Sequence, residues 1–283
     1  MVTTIFTAPK TELECLKNLY IELTNQNCNL RCKHCYINFE PYKKIKDFIP
    51  VEIVKKALLT TGDLGVEMIY LTGGEPLLHP DFNTILRICL KYMPVTIFTN
   101  GMNINDKKAR FLKKVEDEGE NELFFNISID NFNERKNDDL RGRGSFRTAF
   151  NAIQSLIKYT FTPNIKYTNY YNQSEIEIKK ELLPALERFN IGIEDVTLEI
   201  LPWFDKNTKV EPENLKPEVF LNCQNTRILT TKGIFNCPIL VNDYRARCGS
   251  DFESFSKVAY LETEFCEQCV NWANRKFNKK SGD

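Results

Sequence analysis

Residues 28–36 read CNLRCKHCY, and the thiols of Cys28, Cys32 and Cys35, spaced C-x3-C-x2-C, are the first group in the chain able to do chemistry. Thiolates bind soft and borderline metals, and three in one short loop leave a coordination position to something else. Two chemistries fit. One is a closed zinc site completed by His34 or a distant residue; the other is an iron–sulfur cluster with one iron lacking a protein ligand. His34, between Cys32 and Cys35, would more naturally point away than complete a tetrahedron.

Five more of the ten cysteines lie late in the chain, Cys223, Cys237, Cys248, Cys266 and Cys269, spaced C-x13-C-x10-C-x17-C-x2-C. Thiols grouped in this way point to metal rather than to disulfides. RILTT and GIFNC, joined by TTKG, read as a hairpin within this second group. Cys89 falls in DFNTILRICLKYM with helical apolar spacing, and Cys15 has no thiol near it; both read as packing residues.

Lys plus Arg and Asp plus Glu number 38 each, so no overall charge draws the chain to nucleic acid or to an anionic membrane. The start, MVTTIFTAPKTELE, lacks the apolar core of a secretory signal, and no apolar run is long enough to span a bilayer. A soluble, cytoplasmic protein is expected.

The elements that must position the first thiols are legible as β-rich runs, NLYIELT (18–24), EMIYLTG (67–73), PVTIFTN (94–100), LFFNISI (123–129), NIKYTNY (164–170) and VTLEILP (196–202). Helical periodicity fills the intervals, as in VEIVKKALLTTGDL, DFNTILRICLKYM, KKARFLKKVEDEG and SFRTAFNAIQSLIKY. Alternation of this kind predicts βαβ units and a parallel sheet, either an open partial barrel or a doubly wound sheet. Functional groups then gather at the C-terminal strand ends. The cysteine loop follows the first strand, GGEP (73–76) the second, TNG (99–101) the third, and Ser128 and Asp130 the fourth. Gly73 and Gly74 would let backbone approach closely, and Glu75 would either accept a charge-assisted hydrogen bond from an ammonium group or cap the next turn. His79, before a Pro-Asp helix start, reads as structural.

C-x3-C-x2-C followed by an aromatic, after the first strand of a βα series, with GGEP after the second, resembles the radical S-adenosylmethionine (radical SAM) enzymes over roughly residues 18–205. The resemblance implies a partial (βα)6 TIM-like barrel, with Cys28, Cys32 and Cys35 each ligating one iron of a [4Fe–4S] cluster whose open iron chelates SAM. Reductive cleavage of SAM would release a 5'-deoxyadenosyl radical that abstracts a substrate hydrogen. Tyr36 would take the family's aromatic position near the cluster or adenine. Gly73, Gly74 and Glu75 would hold the SAM amino group, Ser128 and Asp130 would face SAM, and Arg141 would pair with a carboxylate. The family usually has Gly after that Asp; here Asn131 stands instead, a residue that also tolerates positive φ. Solvent-exposed roles in a charged loop remain open for Ser128, Asp130 and Arg141.

The late cysteines resemble the twitch form of the SPASM extension, which binds an auxiliary [4Fe–4S] cluster. A hairpin carrying two thiols and a C-x2-C turn can close on one cluster from two sides, so Cys223, Cys237, Cys266 and Cys269 are the expected ligands, with Cys248 the spare. A zinc ribbon, or a set including Cys248, remains open. The expected organisation is an N-terminal segment (1–17), the barrel (18–205), a linker (206–216), the small Cys-rich domain (217–276) and a tail (277–283). A fully ligated auxiliary cluster would pass electrons, favouring net oxidation by a radical SAM oxidoreductase. The substrate class stays open between a peptide or protein, as in the maturation of ribosomally made peptides, and a small molecule such as a sugar or aminocyclitol. The short stretch before the first strand is too small for a leader-binding domain, which weakens the peptide reading. A molybdenum-cofactor-type cyclase is a further possibility, although that family ends in a Gly-Gly tail and this chain in KKSGD. A non-enzymatic zinc-binding protein would leave GGEP unexplained. An electron donor such as flavodoxin or ferredoxin is the implied protein partner. Trp203 and Phe204 are expected either at the substrate mouth or beneath the extension.

Overall fold

Alternation inside the β-rich runs determines how the sheet sits. In NLYIELT, Leu19, Ile21 and Leu23 are apolar and Tyr20, Glu22 and Thr24 alternate with them, and successive side chains of a strand point to opposite faces. The computed structural model describes residues 9–37, 47–204 and 220–278. In it Leu19, Ile21, Leu23, Ile69, Leu71, Val95, Ile97, Phe125, Ile127 and Ile165 share one core with helix residues such as Val54, Leu58, Ile85, Leu112 and Phe150. The alternate positions, Tyr20, Tyr70, Phe98, Ser128 and Lys166, are only half-buried. A doubly wound sheet would be apolar on both faces. One apolar, helix-covered face and one face of mixed polarity make a bowl.

The elements run β1 (Lys10–Glu12), β2 (Asn18–Thr24), α1 (Val51–Thr60), β3 (Met68–Gly73), α2 (Phe82–Leu90), β4 (Val95–Thr99), α3 (Asp106–Asp117), β5 (Leu123–Ser128), α4 (Glu134–Arg141), α5 (Ser145–Lys158), β6 (Asn164–Asn169), α6 (Glu175–Arg188), β7 (Thr197–Pro202), β8 (Thr226–Thr230), β9 (Gly233–Phe235), β10 (Arg247–Gly249), β11 (Val258–Tyr260) and α7 (Glu264–Asn278). Strands β2 to β7 are parallel neighbours in sequence order, which is the partial (βα)6 barrel. The sheet does not stop there. Strand β8 pairs parallel to β2, with Tyr20 opposite Ile228, and β9 and β10 add antiparallel strands beyond it. The Cys-rich extension expected as a separate small domain is therefore hydrogen-bonded into the barrel sheet. A second, two-stranded sheet joins β1 to β11. The expected linker, 206–216, lies outside the described residues, as do parts of the N-terminal segment (1–8) and of the tail (279–283).

The charged stretch after β5, expected as a loop, contains α4. Asn133 caps it by accepting from the Lys136 amide. Its buried residues are Asn137, Leu140 and Arg141, so only one is apolar, and a hydrophobic periodicity cannot reveal such a helix.

GGEP closes the top of β3 against the chain leaving β2. The Gly74 amide donates to Thr24 O at 2.7 Å and the Glu75 amide to Asn27 O at 2.9 Å. A Cβ on Gly73, whose φ is +133°, would lie 2.2 Å from Thr24 O, and one on Gly74 2.4 Å from Asn27 O. The absence of side chains is thus used against the lead-in to the cysteine loop. Gly73→Ala should cost about 3 kcal/mol of stability through strain and displacement of that lead-in, read by urea unfolding; an unchanged midpoint would contradict this account.

Candidate active site

The cysteine loop is held at both ends. At its start, the Asp47 carboxylate accepts from the amides of Asn25 and Gln26, from Thr24 Oγ1 and from Asn27 Nδ2. At its far side it meets the C-terminus of α4: the Lys33 amide donates to Leu140 O at 2.8 Å, and the Cys32 thiol to Arg141 O at 3.9 Å. Arg31 Nη1 donates to Cys28 O at 2.6 Å and Leu30 O at 2.8 Å, which curls the loop on itself. Cys28 Sγ receives the Leu30 amide at 3.4 Å and Asn100 Nδ2 at 3.8 Å.

Burial pushes all three thiols up, Cys35 to about 11, while Arg141 pulls Cys32 and Cys35 back down. A sulfur in this setting keeps its proton until a metal takes its place. Three such donors on one loop, with N–H groups and a guanidinium turned toward them, suit a cluster that leaves one iron to another ligand.

Arg141 and Asp130 are both buried, and they pair with each other, Nη1 to Oδ2 at 2.5 Å. Asp130 also receives His34 Nε2 at 3.1 Å and the Thr168 amide at 3.2 Å, and its own amide donates to Asn137 Oδ1 at 3.0 Å. Burial alone would raise the Asp130 carboxyl, but Arg141 and His34 outweigh it and hold the group below the usual aspartate range. Exposed loop roles for these two residues are thereby excluded. The carboxylate that meets Arg141 here is the protein's own. His34 points away from the thiols, as its position suggested, into a network the sequence did not reveal; its Nδ1 is buried without a hydrogen-bond partner among the described residues. The signal available was its place between two ligand cysteines on a loop facing the fourth strand's acidic end.

Glu75 is fully buried and accepts from the Leu77 amide at 3.2 Å, Thr99 Oγ1 at 2.8 Å and the Asn100 amide at 3.0 Å. It caps the turn after β3 and ties the end of β3 to the end of β4. Burial pushes it up to about 7 despite these donors. Ser128 is half-buried at the end of β5, in register with Lys166. Asn131 does not adopt positive φ; its amide nitrogen donates to Gln173 Oε1 at 2.9 Å and its oxygen accepts from the Asn133 amide at 2.9 Å. His79 is structural, bridging Ile49 O and the Asp81 amide.

In the C-terminal extension Cys223 lies on the turn before β8, Cys237 caps the turn after β9, and Cys266 and Cys269 lie on the first turns of α7. Burial and then the neighbouring thiols push Cys223 to about 12 and Cys269 to about 11, so this set of sulfurs shares one region. Cys248, on β10, is influenced by Arg227 rather than by these thiols. Cys89 is buried in the core. Among the described residues no three His, Cys, Asp or Glu side chains converge on the position of a single metal ion. Four thiols match in number the donors of a fully ligated cubane cluster.

Tyr36 packs against the core of the extension, as do Cys223, Cys237 and Tyr20, and its hydroxyl reaches Thr72. Trp203 is exposed at the rim, its ring tilted against that of Tyr170 with centroids 4.7 Å apart.

Residues 23–180, more than half of the chain, match the family described as the Radical SAM superfamily. The chain belongs to the radical SAM superfamily. Its cofactors are accordingly a [4Fe–4S] cluster and SAM. Among curated radical SAM relatives, the antilisterial bacteriocin subtilosin biosynthesis protein AlbA of Bacillus subtilis is 33% identical over 155 residues, 54% of this chain and 33% of AlbA. A probable GTP 3',8-cyclase of Archaeoglobus fulgidus is 29% identical over 199 residues, 67% of this chain and 62% of that protein. The chain thus spans only part of each. The fold is also that of Streptococcus suis SuiB bound to precursor peptide SuiA, with TM-score 0.63 at 13% identity over 92% of this chain and 65% of SuiB. No helix among the described residues is long and apolar enough to cross a membrane.

Asp130→Asn strands Arg141 as a buried cation and should destabilise the metal-free protein by about 3 kcal/mol at pH 7. The wild-type carboxyl is held low when folded, so its advantage is complete above the ordinary aspartate value of about 4 and is lost as the pH falls further. Urea titrations at pH 7 and below pH 4 check both statements, and a deficit of equal size at the two would contradict them.

Proposed function

We propose that this radical SAM enzyme oxidatively modifies a peptide, in the manner of the maturation of ribosomally made peptides. Bound at Cys28, Cys32 and Cys35, the cluster would supply the electron that cleaves SAM to methionine and a 5'-deoxyadenosyl radical. The chain's own residues then have distinct tasks. Gly73, Gly74 and Glu75 border the SAM amino group, and Glu75, already tied to Thr99 and Asn100, holds that wall rigid. Ser128 faces SAM from β5, and Asp130 fixes Arg141 beside the loop, ready for the SAM carboxylate.

The observation that carries the oxidative part is the position of the second thiol group. Cys223 and Cys237 share a core with Tyr20 and Tyr36, and Tyr20 stacks at 4.4 Å on Tyr70 inside the bowl. An auxiliary [4Fe–4S] cluster held by Cys223, Cys237, Cys266 and Cys269 would therefore be one layer of tyrosines from the reacting substrate. That is suitable for accepting an electron from a substrate radical. A donor of the flavodoxin or ferredoxin type would reduce the first cluster. The peptide part is supported by the description of AlbA as a bacteriocin biosynthesis protein and by the peptide bound to the similarly folded SuiB. Inside the bowl, Phe98 carries Lys166 over its ring at 5.7 Å, and Lys166 pairs with Glu199, which offers a substrate both apolar and charged contacts. The rim pair of Trp203 and Tyr170 extends the apolar surface outward. The cyclase relative favours a second reading, radical chemistry on a nucleotide or other small molecule.

Anaerobically reconstituted protein given SAM and dithionite should release 5'-deoxyadenosine, and Cys32→Ala should reduce that release by at least a hundredfold. With a short peptide encoded beside the gene, mass spectrometry should find loss of two hydrogens per modification. Turnover of GTP with an unchanged peptide would replace the peptide reading with the second one, and release unaffected by Cys32→Ala would end both.

A further inference from the structure

Arg227 is an ionisable side chain that the preceding account leaves unused. It is fully buried on β8. Its guanidinium donates to three main-chain oxygens: Nη1 to Cys223 O and Thr226 O, both at 2.7 Å, and Nη2 to Lys257 O at 2.6 Å. Among the described residues Nε has no hydrogen-bond partner, and no carboxylate pairs with the group. A buried cation without an anion is costly, and chains retain one where a negative charge arrives with a ligand or metal. The thiols within reach of its field are Cys248, whose side chain lies against it, and Cys223, whose carbonyl it holds directly. Of the two, Cys223 belongs to the set that shares one region with Cys237, Cys266 and Cys269.

We propose that Arg227 is the counter-charge of the auxiliary cluster, compensating the Cys223 thiolate and the net negative charge of a four-thiolate cubane, and that it raises the reduction potential of that cluster. The inference rests on the auxiliary-cluster reading of the preceding section. Four thiolates around a [4Fe–4S] core leave a net negative charge, and reduction adds one more. A fixed cation at a ligand's own peptide group favours the reduced state, since net charge and nearby donors set such potentials. For an enzyme that must discharge a substrate radical, this makes the second centre the better electron acceptor. Arg227 is a positioning and tuning residue, touching neither substrate nor SAM.

The test uses the full chain with Cys28, Cys32 and Cys35 replaced by Ala, so that any iron belongs to the second group. Iron and zinc analysis comes first. About four irons per chain supports the underlying reading, whereas stoichiometric zinc ends both that reading and this proposal. Spectroscopic redox titration then compares this protein with its Arg227→Lys and Arg227→Met forms. Arg227→Met should make the cluster at least tenfold harder to reduce, a shift of 59 mV or more to negative potential for one electron, while Arg227→Lys should stay closer to the parent. Loss of the cluster from the Met form alone also supports the assignment. Equal potentials in parent and Met form overturn it, as does loss of iron from both forms, which would mark Arg227 as a main-chain scaffold only. A Met-form shift that disappears when Cys248→Ala is added overturns it too, because the cation would then belong to Cys248.

Discussion

A sulfur removed from water prefers to keep its proton, and burial pushes the thiols of both cysteine groups upward. The chain works against that preference with fixed positive charge and N–H groups. Leu30 and Asn100 donate toward Cys28, and Arg141 acts on Cys32 and Cys35. Asp130 is needed because Arg141 is needed: a guanidinium buried at that depth requires a carboxylate, and the same carboxylate fixes His34 and reaches across to the Thr168 amide on β6. The polar interior at the mouth of the bowl is in this sense organised around the state of the sulfurs.

The barrel supplies what a charged centre requires of its surroundings. Helix-facing residues are apolar strand after strand, which frees the opposite positions for Tyr20, Tyr70, Phe98, Lys166 and Glu199. Rigidity at the rim comes from carboxylates that each gather several donors, Asp47 at the lead-in to the loop and Glu75 between β3 and β4. Such groups cost little when every oxygen is occupied and a good deal when one is not.

What could be read before folding was local. Spacing of the early cysteines is a property of nine consecutive residues, and the six β-rich runs, with period-two alternation, coincide with β2 to β7 to within a residue or two at each end. Helix α4 was hidden because its buried face is made of Asn137, Leu140 and Arg141, so polarity masked its period. The pairing of Asp130 with Arg141 was not legible either: Asp130 was expected to face SAM and Arg141 to pair with a carboxylate, and nothing in a linear reading tells that two residues eleven positions apart satisfy each other. Asn131, expected to tolerate positive φ, instead spends its amide on Gln173 and the Asn133 backbone. Tyr36 was placed by its neighbour in sequence, Cys35, and its packing against the extension was not legible. Least legible was the union of β2 with β8, because a hydrogen-bonded pair such as Asn18 and Thr226 is 208 positions apart.

That union has a bearing on how the protein is born. Strand β2 is an interior strand of the sheet, with β3 on one side and β8 on the other. While the ribosome is still extending the chain, β2 can recruit β3, but its second flank stays bare until residues 226–230 have left the exit tunnel. An uncovered parallel flank invites pairing with another nascent molecule. Aggregation on overexpression, and its relief by slower translation or a chaperone, would then trace to this delay rather than to any weakness of the finished fold.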